Sequence, residues 1–352
     1  MDPPAESGTA PAKDKTSKSF SDQTTQSFSD RTSVTPILQP RAKIVLWGDS
    51  LTQTCFEGWG AKLANRYQRR ADIINRGMSG YNTKWYLQLP NTDRNLEDCS
   101  TSNVALCTIW FGANDASLEE WNPHHYVSLE EYSENLQLLV EKAKKVLKNP
   151  PILLITAPPV HHGQRFEYQK ERYGDKATGV LERTLENSGK YAEACEKVAT
   201  KLGLPCLNLW QAMQEEPATT TSNNKGDDDK DAHWARYLSD GLHFSPAGHD
   251  FVFDRLVSKI QQEFPHLHVE PCALTGQACN SGSTCTGLDT FGPYHDQIDS
   301  KDPEVAMKQV FKDFAAKAKA ASAVGSTSID SGMEQVVVGN SPSLKKPKMD
   351  AP

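Results

Sequence analysis

Five short, nearly continuous apolar segments, rich in β-branched residues, recur between residues 41 and 265. Most of them stop at Gly, Pro or a polar residue, as strands commonly do. Continuous hydrophobicity is typical of strands in parallel sheets, because helices cover both faces and neither face meets water. The pattern predicts five buried strands: AKIVLWG (42–48), ADIINRG (71–77), NVALCTIWFG (103–112), PILLITAPP (151–159) and LPCLNLW (204–210).

Helical periodicity appears between these segments and after the last of them. A final helix is predicted from Pro246 to about Phe264, with Ser245 as its N-cap. Alternation of strands and helices, joined by right-handed crossovers, indicates a doubly wound α/β sandwich. The two apolar stripes that define the other helices are Tyr132, Leu136, Leu139, Val140, Ala143 and Val146, and Tyr191, Ala194, Cys195, Val198 and Leu202.

Two flanking regions are poor in apolar residues. Residues 1–40 contain thirteen Ser/Thr and five Pro, and Leu, Ile, Val and Phe make up 16 of the 87 residues after 265. Such segments bury too little surface to offset the entropy of ordering. We therefore expect a disordered tail at 1–40, one folded domain at 41–265 and a mostly disordered extension at 266–352. Within that extension, an N-cap and apolar residues at helical spacing predict an amphipathic helix near 303–321, available to dock on the domain, a partner or a second copy.

Charge narrows the classes of partner. The chain has 38 Lys and Arg against 45 Asp and Glu, a net charge of −7, so we expect no nucleic-acid partner. It has no run of about 18 apolar residues, and no apolar stretch follows a basic start, so neither a transmembrane segment nor a secretory signal is expected. A cytoplasmic location follows as the expectation, with the basic run Lys345–Lys348 as a weaker indication of a nuclear one.

Eight cysteines are too few for a disulfide scaffold in a chain of 352 residues. Five are scattered and are interpreted as reduced thiols, whereas Cys272, Cys279 and Cys285 form a cluster that lacks the paired spacing of zinc sites. We therefore expect no metal and no cofactor.

The polar stretch Thr219–Asp231 is interpreted as a surface loop.

The first candidate chemistry lies in the loops after the first three strands, which meet at one edge of a parallel sheet. Ser50 follows the first strand and is able to present its hydroxyl at the mouth of the sheet, although Ser in this position is commonly a helix cap. Gly80 follows the second strand and offers an unshielded N–H, although, taken alone, a plain tight turn is the commoner reason for a Gly here. Asn114, in Gly112-Ala113-Asn114-Asp115, is able to aim its amide at a developing negative charge or to cap the next segment.

A fourth loop, Asp240-Gly241-Leu242-His243, stands just before the last helix. Asp and His three residues apart can touch, so that the carboxylate binds Nδ1–H and leaves Nε2 as a general base. Alone, this spacing is not specific.

Taken in order, the four loops resemble the pattern of the SGNH (GDSL-type) serine hydrolases, and within them the isoamyl acetate-hydrolysing esterases. The resemblance covers roughly residues 42–265 and implies a three-layer α/β/α sandwich with a parallel, flavodoxin-like sheet. It implies Ser50 as nucleophile, His243 as base and Asp240 as its orienting acid. It also implies an oxyanion hole made by the Ser50 N–H, Gly80 and Asn114, with Asp49 and Asp115 bracing the loops.

The expected function is therefore hydrolysis of a small-molecule, short-chain ester such as an acetate, through an acyl-serine intermediate. Two alternatives stay open. The first is a carbohydrate O-acetyl esterase or lysophospholipase of the same fold, because the catalytic parts do not determine the acyl group or the alcohol. The second is a non-catalytic interaction protein that acts through its tails.

Overall fold

The computed structural model describes residues 41–90, 92–100, 103–215, 232–269, 288, 301–305, 307–309 and 312. The predicted tail at 1–40, the Thr219–Asp231 loop, the three clustered cysteines and the run Lys345–Lys348 lie outside these residues. Most of the helix predicted near 303–321 also lies outside them, but the described positions 303–305, 307–309 and 312 are helical, and Asp302 Oδ1 accepts a hydrogen bond from Val305 N at 3.1 Å.

The strands are β1 (Ala42–Gly48), β2 (Ala71–Gly77), β3 (Val104–Trp110), β4 (Ile152–Ile155) and β5 (Cys206–Leu207). These five parallel strands form one sheet in the order β2-β1-β3-β4-β5. This order is the flavodoxin-like one, in which the direction of winding reverses between β1 and β3. The predicted fold class is confirmed.

Helices cover both faces of the sheet. The helices are α1 (Ser50–Gln53), α2 (Trp59–Arg66), α3 (Thr83–Gln88), α4 (Thr92–Glu97), α5 (Leu129–Val146), α6 (His162–Tyr173), α7 (Leu185–Leu202), α8 (Leu209–Glu215) and α9 (Pro246–Glu263). The predicted helices are confirmed as α5, α7 and α9, and the stripe residues Tyr132, Leu136 and Leu139 are buried as the pattern requires. Short 3₁₀ turns occupy Cys55–Glu57, Gly174–Lys176, His233–Tyr237 and Pro265–Leu267.

Alternate residues of the central strand β1 face two separate hydrophobic cores. Ile44 and Leu46 lie in the core beneath α2 and α9, whereas Val45 and Trp47 lie in the core beneath α5 and α7. Every second position must be apolar on each side, so the strand as a whole is continuously apolar. This packing explains the sequence pattern from which the sheet was predicted.

Strands β4 and β5 are shorter than predicted. The chain leaves β4 after Ile155, before a Pro-Pro pair that has no backbone N–H to donate. It leaves β5 after Leu207 because Asn208 caps α8, accepting from Gln211 N at 2.9 Å. Within the described part of the chain, no helix combines the length and apolar character needed to cross a bilayer.

Candidate active site

Ser50 is the first residue of α1, immediately beyond the carboxyl end of β1. The N-cap is Asp49, whose Oδ1 accepts from Leu51 N at 2.9 Å, so the cap role that the sequence left open for Ser50 falls to its neighbour. The turn requires close approach: a Cβ added to Gly48 would stand 2.4 Å from Trp110 O. The Ser50 hydroxyl is thereby left for other partners, and its Oγ lies 3.0 Å from His243 Nε2.

His243 is held between Ser50 and Asp240. Its Nδ1 lies 2.8 Å from Asp240 Oδ2, while Asp240 Oδ1 accepts from the backbone N–H groups of Leu242 and His243 at 2.9 and 2.7 Å. Burial raises the pKa of the Asp240 carboxyl, but hydrogen bonds and attraction from His243 and then attraction from Arg165 outweigh it and lower the pKa to about 2. An ionised Asp240 keeps the proton of a neutral imidazole on Nδ1, which leaves Nε2 to accept from the Ser50 hydroxyl.

The loops after β2 and β3 meet beside Ser50. The sheet register pairs Gly48 with Gly77 and with Trp110, so the chain leaves all three strands at the same level. Asn114 Nδ2 donates to Tyr81 O at 2.9 Å, which joins the third loop to the residue that follows Gly80.

Two backbone N–H groups at this edge are available to a ligand. Gly80 has φ +79°, and a Cβ placed there would touch nothing within 4 Å, so the space beside it is open. Ser50, at the first position of α1, has no helical acceptor for its N–H. Among the described residues, none accepts a hydrogen bond from either group.

Asp49 and Asp115 lie under these loops with their carboxyl groups fully buried. Asp115 Oδ1 accepts from both the N–H and the hydroxyl of Thr83, at the start of α3, in keeping with the bracing role expected for it. Burial raises the pKa of Asp49 to about 7, opposed by its hydrogen bond from Leu51 N and reinforced by the nearby Asp115. Burial also raises the pKa of Asp115 to about 6, opposed by the hydrogen bonds from Thr83.

Three charged residues that the sequence analysis did not single out lie against these loops. Arg165 on α6 donates to Asp240 Oδ2 at 3.2 Å, and Arg183 donates to Ala113 O at 2.9 Å and to Asn114 Oδ1 at 3.2 Å. The carboxylate of Glu182 binds both arginines. No motif surrounds these three residues in the sequence. The one signal is the adjacent charged pair Glu182-Arg183 just before the N-cap of α7, and such pairs are also common on protein surfaces.

A side chain on α1 supports the Gly80 loop. Gln53 Oε1 accepts from Ser79 N at 2.7 Å, and Gln53 O accepts from Asn75 Nδ2 at 2.9 Å. The helix that begins with Ser50 is therefore hydrogen-bonded directly to the loop that carries Gly80.

The described cysteines are unpaired: Cys55, Cys99, Cys107 and Cys195 are buried and Cys206 is partly exposed. In the part of the chain that the structure describes, no group of three or more His, Cys, Asp or Glu side chains is arranged to hold a metal ion. The polar groups at the sheet edge are a serine hydroxyl, an imidazole, a carboxylate and a set of N–H donors, which are the groups that acyl transfer through serine requires.

Comparison with known proteins agrees with this chemistry. The profile of the GDSL-like lipase/acylhydrolase family matches residues 46–251. A GDSL esterase/lipase of Arabidopsis thaliana is 37% identical over 272 residues, 76% of this chain and 98% of the relative.

Two further relatives carry a more specific name. The human isoamyl acetate-hydrolyzing esterase 1 homolog is 39% identical over 66% of this chain and 85% of its own length. The isoamyl acetate-hydrolyzing esterase of Saccharomyces cerevisiae is 32% identical over 64% of this chain and 89% of its own length. A family match over more than half of the chain, together with such identities, is decisive: the chain belongs to the GDSL-like lipase/acylhydrolase family and is a carboxylic ester hydrolase.

Proposed function

We propose that the protein hydrolyses short-chain esters of the acetate type through an acyl-Ser50 intermediate. Ser50 is the nucleophile, His243 the general base, and Asp240 the acid that orients the imidazole. The observation that carries the proposal is the unbroken hydrogen-bonded chain from Ser50 Oγ to His243 Nε2, at 3.0 Å, and from His243 Nδ1 to Asp240 Oδ2, at 2.8 Å.

In the first half-reaction the Ser50 oxygen attacks the ester carbonyl carbon while its proton passes to His243 Nε2. The imidazolium that forms is stabilised by the ionised Asp240, whose pKa of about 2 keeps it charged at neutral pH. Collapse of the tetrahedral intermediate breaks the bond to the alcohol oxygen, which takes the proton from His243 and leaves. The acyl group then remains on Ser50 Oγ.

In the second half-reaction a water molecule replaces the alcohol. His243 removes a proton from the water as it attacks the acyl carbon, and then returns the proton to Ser50 Oγ as the acid departs. The imidazole is accessible enough for this exchange, because the His243 side chain keeps 37% of its surface exposed.

The negative charge on the carbonyl oxygen in both half-reactions is assigned to three donors, the N–H groups of Ser50 and Gly80 and the side-chain amide of Asn114. The two backbone groups have no acceptor among the described residues, and Asn114 Nδ2 uses one of its two hydrogens on Tyr81 O. Donors that are already oriented need no reorganisation when the charge develops, and removing one such donor typically costs about 10²–10³-fold in kcat.

The acetate-type substrate class rests on the relatives and not on the catalytic parts. The yeast and human relatives are named for isoamyl acetate hydrolysis. A series of p-nitrophenyl esters from acetate to dodecanoate, assayed beside an acetylated sugar, tests it, with kcat/KM expected to be highest for the short p-nitrophenyl esters. A maximum at the long end would replace the proposal with a lipid-ester substrate, and activity confined to acetylated sugars would replace it with a carbohydrate esterase.

Ser50→Ala tests the assignment of the nucleophile. With p-nitrophenyl acetate we expect kcat to fall by about 10⁴-fold or more, because the acyl intermediate is proposed to form on the hydroxyl that this change removes. Ser258→Ala, which removes an exposed hydroxyl on α9, is the matched control and should leave kcat unchanged. Turnover by Ser50→Ala at the rate of the control variant would show that the nucleophile lies elsewhere.

A further inference from the structure

We propose that Arg183 is a positioning residue of this active site, which holds the Asn114 side chain in the one orientation that can donate to an oxyanion. The inference rests on the proposed function, since it assumes that Asn114 belongs to the oxyanion hole. The structural basis is a buried arginine, 5% exposed, whose guanidinium contacts the Asn114 carbonyl oxygen.

The orientation of an Asn amide is determined by its partners. Asn114 Oδ1 faces Arg183 Nη2 at 3.2 Å, and Asn114 Nδ2 faces Tyr81 O at 2.9 Å. A guanidinium only donates and a backbone carbonyl only accepts, so the reversed amide would set donor against donor and acceptor against acceptor. Without Arg183 one of these two restraints is lost, and the amide is free to present its oxygen, an acceptor, to the developing negative charge.

Arg183 holds the backbone of the same loop as well. Its Nε donates to Ala113 O at 2.9 Å, so one planar group binds two successive residues of the loop after β3. This double contact depends on the fork geometry of arginine. A lysine ammonium has the same charge but is a point donor, and it lacks the fixed spacing that serves both oxygens.

The guanidinium is in turn held by a buried network. Glu182 Oε1 binds Arg183 and also Arg165 Nη2, at 3.2 Å, while Arg165 Nη1 lies 3.2 Å from Asp240 Oδ2. Glu182 is itself fixed, because its Oε2 accepts from Asn122 Nδ2 at 3.2 Å and its backbone oxygen accepts from Leu118 N at 2.8 Å. The network therefore connects both ends of the site, and a buried arginine with a paired carboxylate stays charged and fixed in place.

The test is a double-mutant cycle in the full-length protein, with p-nitrophenyl acetate as substrate. Arg183→Lys keeps the charge beside Glu182, so the fold should survive, but we expect kcat to fall by about 10- to 100-fold with KM nearly unchanged. Arg172→Lys, an exposed arginine on α6, is the matched control and should leave both constants as they are.

The decisive comparison is made in the Asn114→Ala background. If Arg183 acts through Asn114, then Arg183→Lys causes no further loss of kcat there, because the amide that it positions is already gone. The same fold-loss in both backgrounds would overturn the inference and indicate a general structural effect. If Arg183→Lys does not unfold cooperatively like the wild type, Arg183→Gln, which has a neutral amide donor, replaces it. The loss of kcat is then compared in the wild-type and Asn114→Ala backgrounds in the same way.

Failure of the proposed function gives a different result. If Asn114→Ala alone leaves kcat unchanged, Asn114 is not an oxyanion donor and the proposed site is wrong. If Asn114→Ala lowers kcat and Arg183→Lys does not, the oxyanion hole stands and only the positioning role of Arg183 is refuted.

Discussion

The carboxyl group of Asp49 is fully enclosed at the N-terminus of α1, and its ionisation links the stability of the fold to pH. One oxygen accepts from Leu51 N, while the other has no hydrogen-bond partner among the described residues. Burial raises its pKa from 3.8 to about 7 in the folded protein. A carboxylate with no solvation is unfavourable, so the folded state retains a proton that the unfolded chain releases.

The sign of the pH effect follows from this difference. Between about pH 4 and pH 7 the folded protein binds more protons at Asp49 than the unfolded chain, so raising the pH lowers the free energy of unfolding. The difference between a pKa of 3.8 in the unfolded chain and about 7 in the folded protein corresponds to about 4 kcal/mol of stability. This contribution to the free energy of unfolding is fully lost above about pH 7. Asp49→Asn keeps the acceptor for Leu51 N but cannot ionise, so relative to wild type it should gain stability by up to this amount as the pH rises.

Urea unfolding of wild type and Asp49→Asn across this pH range measures the difference. Measurement at about pH 4 is the control, because there the side chain at position 49 is uncharged in the folded state of both proteins. The free energies of unfolding of wild type and Asp49→Asn should be closest at that pH. Parallel pH profiles would mean that Asp49 is ionised in the folded protein and that an unrecognised charge compensates it.

At the residue scale, motif order was enough to select the proposed nucleophile, the imidazole and the three proposed donors, because each lies in a short local pattern within a loop. Arg165, Glu182 and Arg183 could not be selected in this way. Arg165 lies within α6, and Glu182 and Arg183 lie just before α7, in segments without a motif, so that only folding brings them to the loops of Asn114 and Asp240.

The last helix is coupled to the active-site loop by its cap. Ser245 begins α9 two residues after His243, and its hydroxyl accepts from Gly248 N at 3.1 Å while donating to Arg236 O at 2.6 Å. One side chain thus satisfies the helix terminus and ties it to the 3₁₀ turn at His233–Tyr237. The cap is expected to stabilise the helix and the loop together.

Ser245→Ala is expected to destabilise the protein by about 1–2 kcal/mol, because it removes both the helix cap and the hydrogen bond from the Ser245 hydroxyl to Arg236 O. The matched control is Ser128→Ala at the start of α5, where the hydroxyl accepts from Glu131 N at 3.2 Å. That variant should lose about 1 kcal/mol or less in urea unfolding. An equal or greater loss at Ser128 would show that the contact with Arg236 contributes nothing.

At the element scale, prediction succeeded where the apolar pattern was continuous or periodic. The stripes of α5 and α7 and the segments of β1 to β3 were of this kind. Helix α6 was missed because two of its inward-facing side chains are Arg165 and Gln169, four residues apart and both buried. A helix that buries polar groups lacks the apolar stripe by which helices are predicted.

The folded core continues beyond the boundary proposed at residue 265. Leu267 is fully buried and Val269 is 3% exposed. Tyr67 donates to Leu267 O at 3.0 Å and Arg66 to Val269 O at 2.8 Å, which joins this segment to the end of α2. Burial of such a side chain contributes about 1.5–3 kcal/mol.

A fragment of residues 41–269 should therefore be more stable than one of residues 41–265 by about 3 kcal/mol, since the longer fragment keeps both side chains in the core. Chemical unfolding of the two fragments measures the difference. The variant Leu267→Ala of the longer fragment serves as a control and should lose part of the same stability. Equal stability of the two fragments would place the boundary of the domain at 265 after all.

For the whole molecule, the apolar pattern of the chain is enough to predict the class of fold, because continuous apolar strands alternating with helical stripes are compatible with few arrangements other than a parallel sheet between two helical layers. The sequence also indicates which residues carry the proposed chemistry, since these stand in ordered loops after the strands. Only the folded structure shows which further charged groups lie against those residues. The two buried arginines and their shared carboxylate owe their positions to long-range packing, and Asp49 owes its raised pKa to the loss of water around it. No local pattern encodes either effect.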